Sequence, residues 1–231
     1  MAKPIVGSMS DWSGLLKDFF RQVDDGSISI FNLREFLEHR NPFDYLVDID
    51  WRRAYQCLGM SAEYEEFAKS PSVADDPAMW FVPVLKGVTC NKVVAALKKL
   101  GVNFYLYAND LDSAVSTNDR DPINGSYIVG FCRTIEADKE NKNISANQLK
   151  KQNHEGITLL ERLLLELGFF LATSQHLDVD NITLCPGSRY SDGNVPDVRW
   201  DSDSRKVCVD WCGPDNSGGP LRSRSAVSLP V

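Results

Sequence analysis

Apolar and polar positions alternate with a period that changes along the chain. Trp12, Leu15, Leu16, Phe19, Phe20 and Val23 recur at helical spacing and predict an amphipathic first helix. Ser10 is placed to cap it, and the Asp-Asp-Gly at 24–26 to stop it. Asn32 and Glu35 have capping spacing, and Leu33, Phe36 and Leu37 give a second short helix its apolar face; Asn41, before Pro42, ends it. A third helix is expected within 49–68. The Ser, Pro and Asp residues of 70–78 read as a loop.

Beyond that loop the period shortens. MWFVPVL at 79–85 predicts a strand, which Pro83 confines to an edge or a bulge because it lacks an N–H. Residues 89–101 predict a helix closed by Gly101. Strands are expected at 102–108 and 126–135, and surface loops at 111–125 and 136–143. Ser145 and Gln148 have capping spacing for a short helix at 145–152.

The richest apolar segment is GITLLERLLLELGFF at 156–170. Thr158 and Glu161 form a capping box. Leu159, Leu160, Leu163, Leu164, Leu167, Phe170 and Leu171 fall on one broad face, and Glu161, Arg162 and Glu166 fall mostly away from it. A spanning helix needs about twenty apolar residues with few charges, and this segment is shorter and more charged. It is expected to be the central buried helix. Short strands follow at 181–185, 197–201, 205–212 and 221–229, with Asp-Ser-Asp-Ser at 201–204 as a hairpin turn.

This order predicts an α+β protein: a mixed or antiparallel sheet packed on a central buried helix at about 158–172, with a small helical N-terminal part. The helical region is placed at 1–70 and the α+β domain at 79–231, an arrangement compatible with a single globule.

The formal net charge of −7 disfavours non-specific nucleic-acid binding, which draws its affinity from basic groups on phosphate. The opening MAKPIVGSMSDW is too short in apolar residues for a secretory signal, so a cytoplasmic protein without membrane association is expected. Reduced thiols are then the default for Cys57, Cys90, Cys132, Cys185, Cys208 and Cys212, and the sequons at Asn124, Asn143 and Asn181 carry no weight.

Candidate chemistry gathers in 176–215, where Asp, Arg, Tyr and His cluster among turn residues. Arg189, with Ser188 and Tyr190, is the candidate binder of an anionic ligand. His176, Asp192 and Asp210 are the candidate catalytic residues, His176 as proton carrier and the aspartates as base or metal ligand. Cys185, Cys208, Cys212 and His176 hold the residue types of a zinc site, but Cys208 and Cys212 form one loose pair within a strand, and structural zinc favours tight pairs in loops. Inert thiols are the preferred reading, and no metal is assigned. His39, His154 and the Asn-Asp-Arg-Asp-Pro at 118–122 read as solvated, and Phe104, Tyr105 and Tyr107 as sheet residues. No Walker or Rossmann fingerprint is present, so no cofactor is implied.

SDWSGLLKDFFRQVDDGSI, FLEHRNPF, ISANQLKKQ, GITLLERLLLEL and HLDVDNITLCPGSRYSDGNVPDVRW together resemble a group of hypothetical proteins from uncultured bacteria with small genomes. The resemblance runs over almost the full length. That group has no assigned activity, so it implies no catalytic residue. Its members often carry tyrosine where this chain has Cys212, which weakens a metal role for that thiol.

Two functional classes follow. The first is a cytoplasmic, non-catalytic binding or interaction protein whose ligand is a protein or a small molecule. The second is an enzyme acting on a small anionic or phosphorylated ligand at a site within 176–215. An enzyme brings its candidate groups together around one pocket, whereas a binding protein leaves them on separate turns.

Overall fold

The computed structural model describes residues 9–24, 33, 36–37, 47–69 and 76–229. Two units are distinguished, Met1–Asp44 and Tyr45–Val231. In the first, helix α1 spans Met9–Asp24, as the apolar spacing predicts. The expected second helix falls mostly outside the described residues.

In the second unit the helix expected within 49–68 is broken in two, α2 (Trp51–Cys57) and α3 (Ser61–Phe67). The break is at Leu58 and Gly59, where Gly59 has φ +69°, a left-handed turn that costs glycine little. Asp50 caps α2 by accepting from the Arg53 amide. Ala54 and Tyr55 are fully buried. The Tyr55 hydroxyl donates to the Pro83 carbonyl at 2.6 Å and accepts from the Leu85 amide at 3.2 Å. Helix α2 is therefore a core element of the larger unit, with Tyr64 and Phe67 of α3 packed partly buried against that core, and the division falls at 44/45, not near 70.

The remaining elements follow in order. They are β1 (Met79–Val84), α4 (Cys90–Lys99), β2 (Phe104–Leu106), α5 (Leu111–Ala114), β3 (Val115–Asn118), β4 (Tyr127–Cys132) and α6 (Ala146–Lys151). Then come α7 (Leu159–Thr173), β5 (Ile182–Leu184), β6 (Ser188–Tyr190), β7 (Val195–Asp201), β8 (Lys206–Cys212), β9 (Leu221–Ser223) and β10 (Val227–Leu229). The strands form three sheets. In the first, β4 lies between β1 and β10, both antiparallel to it, so Pro83 sits on an edge as its missing N–H demands. The second runs β2-β8-β7-β5-β9; β2–β8 and β5–β9 are parallel, and the rest antiparallel. The third is the antiparallel pair β3–β6, built partly from the stretch read as loop at 111–125.

Helix α7 lies in the middle, against α2, α4, β1 and β7. The capping box at Thr158 and Glu161 is complete. Burial is not confined to the apolar face: Glu161, Arg162 and Glu166 are fully buried too. The sequence placed these three mostly away from the core face. They are covered because neighbours pack on every side of the rod, and each is held by ion pairs. Gly168 marks how close that packing is, since a Cβ there would stand 2.5 Å from Ile49 Cγ2.

The stretch 221–229, read as one strand, divides. Strand β9 joins the five-stranded sheet and β10 the three-stranded one. The fully buried Arg224 lies between them. Among the described residues, no helix is long and apolar enough to cross a membrane.

Candidate functional site

A concave region of the surface is built around the N-terminus of α7. Glu161 turns back to accept from the Thr158 amide (2.8 Å), which closes the capping box. The same carboxylate is clamped by Arg120, Nε to Oε1 at 2.7 Å and Nη2 to Oε2 at 2.8 Å. Arg120 Nη2 also donates to the Gly156 carbonyl (2.7 Å), and the Tyr127 hydroxyl donates to Glu161 Oε1 (3.0 Å). Burial works against the charge on Arg120, but its bonds to Glu161 outweigh this and raise its pKa above the ordinary value. Burial and the Glu161 charge both push the Tyr127 phenol up. The 118–122 segment is therefore not a solvated loop: the Arg120 side chain is only 13% exposed.

The β3–β6 pair is fixed to the same helix end. Ser188 Oγ donates to Asn118 Oδ1 (2.6 Å) and accepts from the Leu159 amide (2.9 Å). Gly187 permits the approach, because a Cβ there would stand 2.8 Å from the Gly156 carbonyl oxygen.

Between these elements and α6 lies a cleft of about 550 Å³, whose wall includes Asp119, Arg120, Lys150, His154, Glu155 and Arg189. A smaller hollow of about 370 Å³ shares Asp119, Arg120 and Ser228 with it. Arg189 Nη1 donates to the carbonyls of Pro186 (2.6 Å) and Ser188 (2.8 Å). Among the described residues no carboxylate lies within ion-pair distance of Arg189, although Arg120, Arg162 and Arg224 each have one. Its pKa is lowered, chiefly by burial, with Asp119 acting in the opposite sense. A half-buried guanidinium without a carboxylate partner is suited to hold an anion.

The other candidate residues are distributed elsewhere. Ser188 is buried and committed to the helix end. The Tyr190 ring packs on Tyr107 at 5.3 Å, and its hydroxyl donates to the Asp210 carbonyl at 3.4 Å. Asp192 accepts from the amide and side chain of Asn194 in a local turn. Asp210 Oδ1 accepts from its neighbouring Trp211 amide. His176 follows the C-terminus of α7 and folds back onto Glu166, roughly 12 Å of helical rise from Thr158. Its Nδ1 is 2.7 Å from Glu166 Oε1, and its ring stacks on Trp200 with centroids 3.6 Å apart. The structure thus brings Arg189 to the cleft and Tyr190 to Asp210, and leaves His176 and Asp192 apart from both.

His176 is joined to a second charged cluster, which is structural in form. Buried Arg162 bonds Asp178 (2.7 Å) and Glu166 (2.8 Å). Asp178 also accepts from Arg224 (2.9 Å), the Ala137 amide and Thr183. Burial opposes the Asp178 charge, but Arg224 and Arg162 outweigh it and hold the carboxyl below its usual range.

One aspartate of the 176–215 cluster was given no role by the sequence reading. Asp197 is 4% exposed and directly opposite Asp210 in the β7–β8 register. Burial, then the Asp210 charge, push its carboxyl up to about 7. Its Oδ1 has no hydrogen-bond donor. The sequence did not carry this pairing: a turn at 201–204 would set 197 opposite 208, and the observed register, with Asp201 opposite Lys206, puts Asp210 in that place. The six thiols are free, and Cys185, Cys208 and Cys212 are buried. Among the described residues no three His, Cys, Asp or Glu side chains are grouped as a metal would require. No family model, no curated protein and no solved structure matches the chain.

Proposed function

We propose that this chain is a non-catalytic binding protein that takes a small anionic ligand in the cleft beside α6 and β6. The observation that carries the reading is Arg189, a half-buried cation with no carboxylate partner, in one wall with Lys150, His154 and Arg120. Arg120 is already neutralised by Glu161, so Arg189 and Lys150 are the ligand's charge partners, and Arg120 stiffens the floor. Asp119 and Glu155 in the same wall favour ligands that also carry hydrogen-bond donors. The separation of His176 and Asp192 from the cleft supports binding over catalysis. Six free thiols accord with a reducing, cytoplasmic setting. A bacterial origin, with membership of the group the sequence resembles, belongs to the same reading.

Titration calorimetry with inorganic phosphate tests it. Arg189→Ala should weaken phosphate binding by about tenfold, the loss expected for one charge-assisted hydrogen bond, and lower the thermal midpoint by only a few degrees through the lost bonds to Pro186 and Ser188. Phosphate heats that are absent, or that are the same in both proteins, would remove the cleft from consideration.

A further inference from the structure

At one edge of the five-stranded sheet two large rings stand open to solvent, Tyr107 at 43% and Trp211 at 42% exposure. Their centroids are 5.8 Å apart and their planes tilted by 58°. Tyr107 also meets Tyr190 at 5.3 Å with a tilt of 54°. Tyr105, two residues earlier, is 48% exposed. Rings set at such angles do not make one flat platform. They make an aromatic corner, whose electron-rich faces attract cations.

One aspartate neighbours that corner in the strand register. The Tyr107 amide donates to the Val209 carbonyl at 2.8 Å, which sets Tyr107 next to Asp210. Across the next strand Asp197 lies directly opposite Asp210. Asp197 Oδ1 is buried without a hydrogen-bond donor, and the Arg199 guanidinium is 4.0 Å from it. Asp197 is buried, so Asp210 is the carboxylate of this pair that meets solvent, within a chain of net charge −7.

We infer that this corner docks a lysine- or arginine-bearing segment of a partner protein, its cationic head on Tyr107 and Trp211 and its charge met by Asp210. The inference is independent of the anion cleft. A protein segment is favoured over a small ammonium compound because rings exposed to this degree cover one side of a ligand, whereas small-molecule sites enclose most of theirs. The short edge strand β2 also leaves its outer side open to an extended chain.

The test is the anisotropy of fluorescein-labelled decalysine titrated with the full chain. Its overall charge alone attracts decalysine, so the comparison between variants decides. Tyr107→Ala and Trp211→Ala should each weaken binding by about fivefold, while Trp211→Phe, and Asp203→Asn in the exposed 201–204 turn, should stay within about twofold. Equal affinities across all four variants would overturn the proposal in favour of diffuse attraction. Tetramethylammonium chloride that binds as tightly as decalysine would overturn it in favour of a small-molecule site.

Discussion

Asp197 shows how a single side chain couples to solution conditions. It is 4% exposed, opposed by Asp210, and its carboxyl is pushed up to about 7 from an ordinary 3.8. Below pH 4 the group is protonated in both the folded and the unfolded chain, and its contribution to stability is intact. As pH rises from about 4 to 7, the unfolded chain gives up its proton while the folded one keeps it, and that contribution is lost. About three pK units correspond to about 4 kcal/mol at most, an upper figure because Arg199 and relaxation of the pair soften it. Asp197→Asn should therefore gain stability relative to the parent as pH rises, measured as urea unfolding free energy at pH 4.5 and 8. A difference that does not change between the two pH values would show that this carboxyl ionises normally. The residue was hidden from a reading of local composition because its pKa is set by a partner on another strand. Arg189, by contrast, was legible as a candidate anion binder from its setting among glycine and serine. That it lacks a carboxylate partner only the fold could show.

At the scale of elements, α7 carries the argument. Its length, its capping box and its leucines were readable because helix periodicity and caps are local. The burial of its charged residues was not readable. A polar residue on a helix wheel marks a solvated face only when one side of the helix is free, and α7 has no free side. The cost of burying Arg162 is met by Asp178 and Glu166, each of which loses a charged partner without it. Arg162→Met should thus destabilise the protein by about 3–5 kcal/mol in urea unfolding, since it leaves two buried carboxylates with fewer partners. Thr158→Ala should cost only about 1 kcal/mol, the usual value of an N-cap. If the two substitutions proved equally mild, the charged cluster would be a dispensable ornament of the core. The neighbouring 111–125 segment was misread for a related reason: β3 is four residues long and exists only because β6, some seventy residues later, pairs with it.

Over the whole larger unit, three sheets surround one helix, and the chain crosses between sheets at short polar links. The clearest is Arg224, which separates β9 from β10 and donates to Thr134, Ile135 and Asp178. This arrangement places α7 at the top of the stability gradient, with every exit through packed neighbours. Amides of 162–169 should exchange hydrogen most slowly of all, near the rate set by global unfolding. Faster exchange there than in the β7–β8 hairpin would mean that the sheets hold together without the helix. The sequence alone determined the α+β class, the capped leucine helix, the β7–β8 hairpin and the confinement of Pro83 to an edge or a bulge. Each follows from period, cap or missing N–H within a few residues. The tertiary structure decided the three-sheet arrangement, the split of 221–229, the burial of Glu161, Arg162 and Glu166, and the wall shared by Arg189 with Arg120 and Lys150. These depend on pairings between distant segments, whose free energy no local pattern encodes.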